Sequence, residues 1–194
     1  MRRDLLNSIL AIVVFTLVLG LAYPLLTTGV AQVLWPNKAD GSQVEVDGKV
    51  VGSRLIGQRF RGPRYFHSRP SATDYSANVT FFNNLGPNSR ELRDQFRANL
   101  SAYLRRERPF NPGLRAADVP PDAVQTSASG VDPSISQANA RIQARRVAED
   151  RELPLERVLR LVDDNTNGRA LGVLGEPGVN VLELNLAVDR EAAR

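Results

Sequence analysis

Cysteine is absent from this chain and histidine occurs once, at His67. Disulfides, thiolate zinc sites, iron–sulfur clusters and cysteine nucleophiles are therefore excluded, and a histidine-rich metal site nearly so. Lysine is almost as scarce, because of 25 basic residues only Lys38 and Lys49 are not arginine. No Gly-x-x-x-x-Gly-Lys-Ser/Thr phosphate loop is present, and neither lysine stands between a strand and a helix, which excludes P-loop chemistry. Gly-x-Ser-x-Gly is missing as well. A membrane-tethered Ser–His–Asp hydrolase would rest on His67 alone, in Tyr65-Phe66-His67-Ser68-Arg69-Pro70, without a nucleophile elbow. The sequence thus offers no catalytic residues and no metal ligands. The net charge of +4 is too diffuse to argue for nucleic acid as a partner. With 194 residues there is room for one membrane segment and one globular domain.

What is present begins with a long uncharged run. From Leu5 to Asn37 no residue is charged, and fourteen of the residues from Leu5 to Leu26 are Leu, Ile, Val or Phe. Twenty-two helical residues span roughly 33 Å, enough to cross a hydrocarbon core of about 30 Å. The run exceeds a signal-peptide apolar region, despite the Met1-Arg2-Arg3 start and small residues near Thr28 to Gln32, and it has no charged face for lying flat in the interface. A single-pass anchor in the cell (inner) membrane is expected. Arg2 and Arg3 precede it and nothing basic follows until Lys38, which predicts a cytoplasmic N-terminus and an extracytoplasmic C-terminal domain. The expected organisation is N-terminus and transmembrane helix over 1–30, a linker over 31–42, and a soluble domain over 43–194.

Val44 and Val46, then Asp47-Gly48, then Val50 and Val51 predict a tight hairpin. Further extended pieces are expected at Arg54 to Gln58 and around Tyr65-Phe66. Asn88 followed by Glu91 resembles a capping box, and Leu92, Phe96, Leu100 and Tyr103 or Leu104 form the apolar stripe of a helix ended by Pro109. Its opposite face carries Arg90, Arg93, Arg97, Arg105 and Arg106, either a solvated face or a docking surface for an acidic partner or lipid headgroups. Five prolines predict irregular backbone over 107–133. A second helix should run from near Ser136 to about Arg151, burying Ala140, Ala144, Val147 and Ala148. A third should open with Pro154, carry Leu155, Val158, Leu159 and Val162, and end at Asn167-Gly168. Leu182, Leu184, Leu186 and Val188 alternate with Glu183, Asn185 and Ala187, which predicts a final strand. The fold class is α+β, one mixed domain tethered by one helix.

The segment from Thr126 to Ser136 is the richest in small polar residues. It either exposes backbone N–H groups that hold an anion or phosphate, or forms a capped turn in which Asp132 and Ser136 bond their own backbone. Gln143 and Arg146 share one helix face, three residues apart. Gly20, Ala22 and Gly29 permit close helix contact in the membrane. Arg59, Arg61, Arg64 and Arg69 support an alternative reading, a membrane-anchored extracytoplasmic anion- or lipid-headgroup-binding module.

Several segments taken in order resemble the C subunit of the Kdp-type potassium-transporting P-type ATPase, the KdpC family. They are Gly20-Leu21-Ala22-Tyr23-Pro24-Leu25, Gly52-Ser53 with Leu55-Ile56-Gly57-Gln58, Tyr65-Phe66 with Arg69-Pro70-Ser71-Ala72, and Asn84-Leu85-Gly86-Pro87. The resemblance resumes in Thr126 to Ile135, Gln143 with Arg146-Val147-Ala148, Leu174-Gly175-Glu176-Pro177 and Leu184-Asn185-Leu186-Ala187. It implies an accessory, non-catalytic subunit of a high-affinity ATP-driven potassium import complex. The implied partners are a channel-like potassium-translocating subunit, a P-type ATP-hydrolysing subunit and a small single-span subunit. The family is described as a catalytic chaperone raising ATP affinity. No cofactor of its own is implied beyond that ATP association, whose nucleotide-binding residues would be Thr126, Ser127, Ser129, Gly130, Asp132, Gln143 and Arg146. Gln125 stands where the family usually has an apolar residue, and Asn78-Val79-Thr80-Phe81-Phe82 replaces a Ser/Gly-rich run. ATP is cytoplasmic whereas the charge bias puts the domain outside. The topology takes precedence, and the domain is expected to steady or gate the channel-like subunit on the side from which potassium enters.

Overall fold

An uncharged run of this length has one way to satisfy its backbone in lipid, which is to bond to itself. In the computed structural model, which describes residues 2–76, 78 and 84–193, it forms continuous helix over Arg2–Leu34. The helix has three parts, α1 (Arg2–Phe15), a π-helical stretch (Thr16–Ala22) and α2 (Tyr23–Leu34). The wide stretch lies just ahead of Pro24, which has no N–H to offer the Gly20 carbonyl and would crowd it in a regular helix. Tyr23 N–H reaches back five residues to Val18 O instead. Two hydroxyls also bond within the helix, Ser8 Oγ donating to Asp4 O (2.8 Å) and Thr27 Oγ1 to Tyr23 O and Pro24 O (3.0 Å each). None of these residues is buried within the chain. This one helix is long and apolar enough to cross a membrane.

Within 31–42, α2 continues to Leu34, Trp35 breaks it at φ −142°, and a short α3 occupies Pro36–Ala39. The expected hairpin follows as β1 (Gln43–Val46) and β2 (Lys49–Ser53). Asp47 and Gly48 both take positive φ, +51° and +73°, as a turn matching strand twist requires. The chain divides into two compact units, Met1–Val51 and Gly52–Arg194.

In the second unit, α4 (Arg90–Glu107) starts one residue later than the sequence suggests. Ser89 is the cap, its Oγ accepting from Leu92 N–H (3.3 Å), while Glu91 complements the positive helix end. Only the last turn of α4 is buried, through Tyr103, Leu104 and Glu107. The proline-rich stretch after it holds two 3₁₀ turns, Ala116–Asp118 and Pro121–Ala123. After β3 (Ser134–Ile135), Ser136 caps α5 (Gln137–Asp150), and Pro154 caps α6 (Leu155–Asp164), lying just outside it rather than at its first position. A small antiparallel sheet runs in the order β3-β5-β4, with β4 at Thr166–Asn167 and β5 at Gly178–Asn180. Ile135 and Thr166 both stand opposite Val179.

The segment expected as the final strand is a helix, α7 (Val181–Ala192). Asn180 Oδ1 accepts from Glu183 N–H (3.1 Å) and starts it. Val181, Leu184, Asn185 and Val188, spaced by three, one and three, form one buried face. Asn185 and Ala187, which alternation assigned to the wetter face, are buried. The leucine alternation is accommodated because Val181 and Leu182 both sit at the buried start. Val179, Val181, Leu184 and Val188 meet Ala140, Ala144 and Val147 of α5, Val158 and Val162 of α6, and Phe66 in one core.

Candidate functional site

The polar side of α5 and the arginine-rich segment before it make the site. Asn139, Gln143 and Arg146 lie at i, i+4 and i+7, on one stripe beside the apolar stripe of Ala140, Ala144 and Val147. All three are buried; Gln143 and Arg146 face the irregular segment 62–67, while Asn139 bonds Tyr103, Asp122 and Gln143. Gln143 pairs with His67 as a neighbouring strand would, its Oε1 accepting from His67 N–H (2.8 Å) and its Nε2 donating to His67 O (3.1 Å). Asn185 does the same for Phe66, at 2.8 and 3.0 Å. The piece around Tyr65-Phe66 therefore stays extended without joining a sheet, and Arg54 and Leu55 form a turn instead of a strand.

Arg146 is 1% exposed, and each of its three guanidinium nitrogens donates a hydrogen bond. Its Nε donates to both carboxylate oxygens of Glu107 (3.1 Å each), Nη2 to Gln143 Oε1 (3.0 Å), and Nη1 to Tyr65 O (2.9 Å) and Pro63 O. Glu107, 0% exposed, also accepts from Arg106 Nε (2.8 Å). A buried pair of this kind is tolerable because the other guanidinium nitrogens also find acceptors. Tyr103 Oη donates to Asn139 Oδ1 (2.9 Å), and burial, followed by the Glu107 charge, pushes its pKa up. Sequence reasoning did not single out Glu107 or Asn185. A polar residue inside the 181/184/188 stripe is a readable signal for Asn185, but only once the segment is read as helix.

His67 is held by Nε2–H donating to Gly62 O (2.9 Å). Burial, then the charge on Arg106, lowers its pKa from 6.5 to about 4 despite that bond. An imidazole tuned so low is a weak general base at neutral pH. Among the described residues no cluster of three His, Asp or Glu is placed to hold a metal.

Thr126, Ser127, Ser129, Gly130 and Asp132 come together in one turn, while Gln143 and Arg146 belong to the buried network. The turn bonds largely to itself. Ser127 Oγ accepts from Gly130 N–H (3.1 Å) and Asp132 N–H (3.4 Å), Ser129 Oγ from Val131 N–H (3.2 Å), and Asp132 Oδ1 from Ser134 N–H (3.0 Å). Ser136 Oγ caps α5 through Asn139 N–H (3.1 Å). These are the bonds of a capped turn, one of the two readings its composition leaves open. Its surroundings pin it from outside. Gly57 lies so close that a Cβ there would stand 2.3 Å from Asp132 O, and Ser71 Oγ donates to Gly130 O (2.6 Å).

Two recesses flank these groups. One, of about 250 Å³, lies between Thr126–Ala128 and the Leu92, Gln95 and Phe96 side of α4. The other, of about 420 Å³, is lined by Arg59, Arg61, Arg106, His67, Ser68 and Tyr75, among others. Arg59, paired with Asp74, and Arg61 join Arg106, paired with Glu107, around one cavity, whereas Arg69 is paired with Asp132 (2.9 Å) away from it and Arg64 is exposed elsewhere. The departure at Asn78-Val79-Thr80-Phe81-Phe82 falls, apart from Asn78, outside the described residues. In the N-terminal helix, Gly20 and Ala22 lie in the π-helical stretch, and a Cβ on Gly20 would meet only Thr16 Cγ2, at 3.8 Å.

Comparison with known proteins covers nearly the whole chain. The family model for KdpC, the K+-transporting ATPase c chain, matches residues 5–190. A potassium-transporting ATPase KdpC subunit from Rhodospirillum rubrum is 49% identical, over 97% of this chain and 96% of its own length. One from Bradyrhizobium diazoefficiens is 47% identical over all of both chains, and one from Koribacter versatilis is 46% identical over 97% and 95%. With the apolar helix, the α+β domain and the sequence match all in agreement, the chain belongs to the KdpC family of K+-transporting ATPase c chains.

Proposed function

We propose that the chain is the accessory subunit of an ATP-driven potassium import complex, anchored by Arg2–Leu34 with its N-terminus in the cytoplasm and its α+β domain outside. The observation that carries this reading is the full-length likeness to proteins named as KdpC subunits of a potassium-transporting ATPase. The site chemistry is consistent with a supporting rather than a reacting role. The strongest donors and acceptors, on Arg146, Gln143 and Glu107, are spent on holding segment 62–67. The domain acts on partner subunits, the channel-like and the ATP-hydrolysing one, by binding rather than by bond chemistry. Affinity capture of the tagged chain from native membranes should bring down a P-type ATPase and a channel-like potassium protein. Capture of neither would remove the reading. Protease added outside sealed cells should degrade 38–194, and its survival beside a degraded outer-surface control would reverse the orientation.

Nucleotide contact, implied for the Thr126–Asp132 turn by the resemblance, would have to use what that turn leaves free on its outer side. Photolabelling of the complex with an azido-ATP should label the hydrolytic subunit, and labelling that maps to 126–132 would bring ATP back to this chain.

One observation favours a second reading, an anion-binding module. Arg59, Arg61 and Arg106 share a cavity with Ser68, whose buried Oγ has no partner among the described residues. Salt-sensitive binding of the full chain to vesicles containing phosphatidylglycerol, lost in Arg61→Gln, would support it.

A further inference from the structure

The larger recess, of about 420 Å³, lies between the last turns of α4 and the segment 59–70. Asn99, Tyr103 and Arg106 stand at i, i+4 and i+7, so one face of α4 makes part of its wall. Arg106, which spacing groups with the solvated arginines of α4, lines the cavity instead, its guanidinium over the Tyr103 ring at 5.3 Å from the centroid. Small-molecule sites have volumes of roughly 300–1,000 Å³ and are mostly apolar. This one has the volume but is lined by three guanidinium groups, of Arg59, Arg61 and Arg106.

No carboxylate lines it. Arg59 pairs with Asp74 and Arg106 with Glu107, but the Glu107 carboxylate is shared with Arg146, and Arg61 has no ion pair among the described residues. Four guanidinium groups therefore meet two carboxylates, and two positive charges are left uncompensated. The neutral polar groups of the lining already have partners. Tyr75 Oη donates to Arg69 O (2.7 Å), Asn99 Nδ2 to Val124 O (2.8 Å), His67 Nε2–H to Gly62 O and Tyr103 Oη to Asn139 Oδ1. Burial pushes the Tyr75 hydroxyl pKa up against the pull of Arg59 and then Arg106, so both charges act on the same interior. What is left over consists of donors. They are the whole Arg61 guanidinium, the two Nη atoms of Arg106, and the Ser68 hydroxyl, buried and without a partner among the described residues.

A cationic lining rich in free donors selects an oxyanion, and guanidinium forks bind carboxylate or phosphate oxygens two at a time. The surplus of two charges decides between them. A phosphate monoester carries about −1.5 to −2 at neutral pH, whereas a carboxylate or a phosphodiester carries a single charge. We propose, building on the anion-binding reading above, that this cavity binds a doubly charged phosphate group, either free phosphate or the terminal phosphate of a lipid headgroup. Arg61 supplies the uncompensated fork, Arg106 a second pair of N–H donors, and Ser68 a neutral one.

The test is isothermal titration of the full chain in a neutral detergent. Inorganic phosphate should fill one saturable site, weakened roughly tenfold or more in Arg61→Gln. Arg61→Lys should recover only part of the loss, because an ammonium has no fork. Arg64→Gln, off the cavity, should bind as the wild type does. Arg61 bonds nothing in the fold, so its variants should keep the wild-type melting temperature. Titration with dihexanoyl phosphatidic acid and dihexanoyl phosphatidylglycerol separates the sources. Binding of phosphatidic acid but not of free phosphate, weakened in Arg61→Gln, would assign the site to a lipid monoester. Phosphatidylglycerol bound as tightly as phosphatidic acid would overturn the doubly charged ligand while leaving the anion-binding reading in place. Binding of none of the three, or binding equal in Arg61→Gln and Arg64→Gln, would overturn the cavity as the site. Salt-sensitive binding to vesicles in that case would move the anion surface elsewhere on the chain, and its absence would end that reading too.

Discussion

The two units of the chain solve the same problem with opposite materials. In Arg2–Leu34 every large apolar side chain from Leu5 to Leu34 faces outward and none is buried. In Gly52–Arg194 the least exposed side chains include Arg146, Gln143, Glu107 and Asn139. The difference is the one expected of a helix long and apolar enough to cross a membrane and a domain facing water. A lone helix in lipid keeps its backbone bonds inside and can leave aliphatic groups outside at no cost. A small domain in water has a modest core and must order its irregular stretches by other means. Here it does so with side-chain amides and one buried ion pair that grip segment 62–67.

This contrast predicts where the chain breaks. The largest effect should come from Glu107→Ala, which leaves the Arg146 guanidinium buried without its carboxylate. Chemical denaturation of the full chain in detergent should show a loss of about 3–5 kcal/mol. Asn185→Ala comes next, since it strips both the N–H and the carbonyl of Phe66 of their partners. Roughly 3 kcal/mol is expected by the same measurement, with a wild-type value showing that Phe66 is held by packing alone. His67 gives a smaller effect, dependent on pH. Its folded pKa, about 4, is below the ordinary 6.5, so between those values the unfolded chain binds the proton that the folded one refuses. Stability should therefore be full above pH 6.5 and fall as pH drops toward 4, by on the order of 2 kcal/mol once solvent screening of a partly exposed ring is allowed for. His67→Gln should flatten that part of the melting-temperature profile. The smallest effect on the domain is expected from Gly20→Leu with Ala22→Leu, because a side chain at Gly20 meets almost nothing within the chain. Domain unfolding should shift by less than about 0.5 kcal/mol, while co-purification with the transport complex is lost. Unchanged co-purification would take helix packing away from these two residues.

The long N-terminal helix was readable because one pattern, apolar and uncharged, holds over many residues, and Leu5 to Leu26 keep it throughout. The helix α5 was readable because Ser136 caps it and its alanines repeat at helical spacing. The helix α7 was not, since its leucines satisfy a period of two while Val181, Leu184, Asn185 and Val188 satisfy a period near 3.6, and the Asn180 cap decides between them. For Gln143 and Arg146, spacing revealed a shared face but not its use. Their partners, His67 and Tyr65, stand 76 and 81 residues earlier in the chain, and one sequence holds no local mark of such pairing. The turn at Thr126–Asp132 shows the same limit, because small polar residues that bind an anion and those that bind their own backbone have one composition.

The clamp of Asn185 on Phe66 also sets an order of events during synthesis. The two residues are 119 positions apart. At about 5–20 residues per second, Phe66 emerges from the ribosome some 6–24 s before the side chain that fixes its backbone. Throughout that interval a phenylalanine destined for the centre of the core has no seat, and the nascent domain depends on collapse or on a chaperone to keep it from straying.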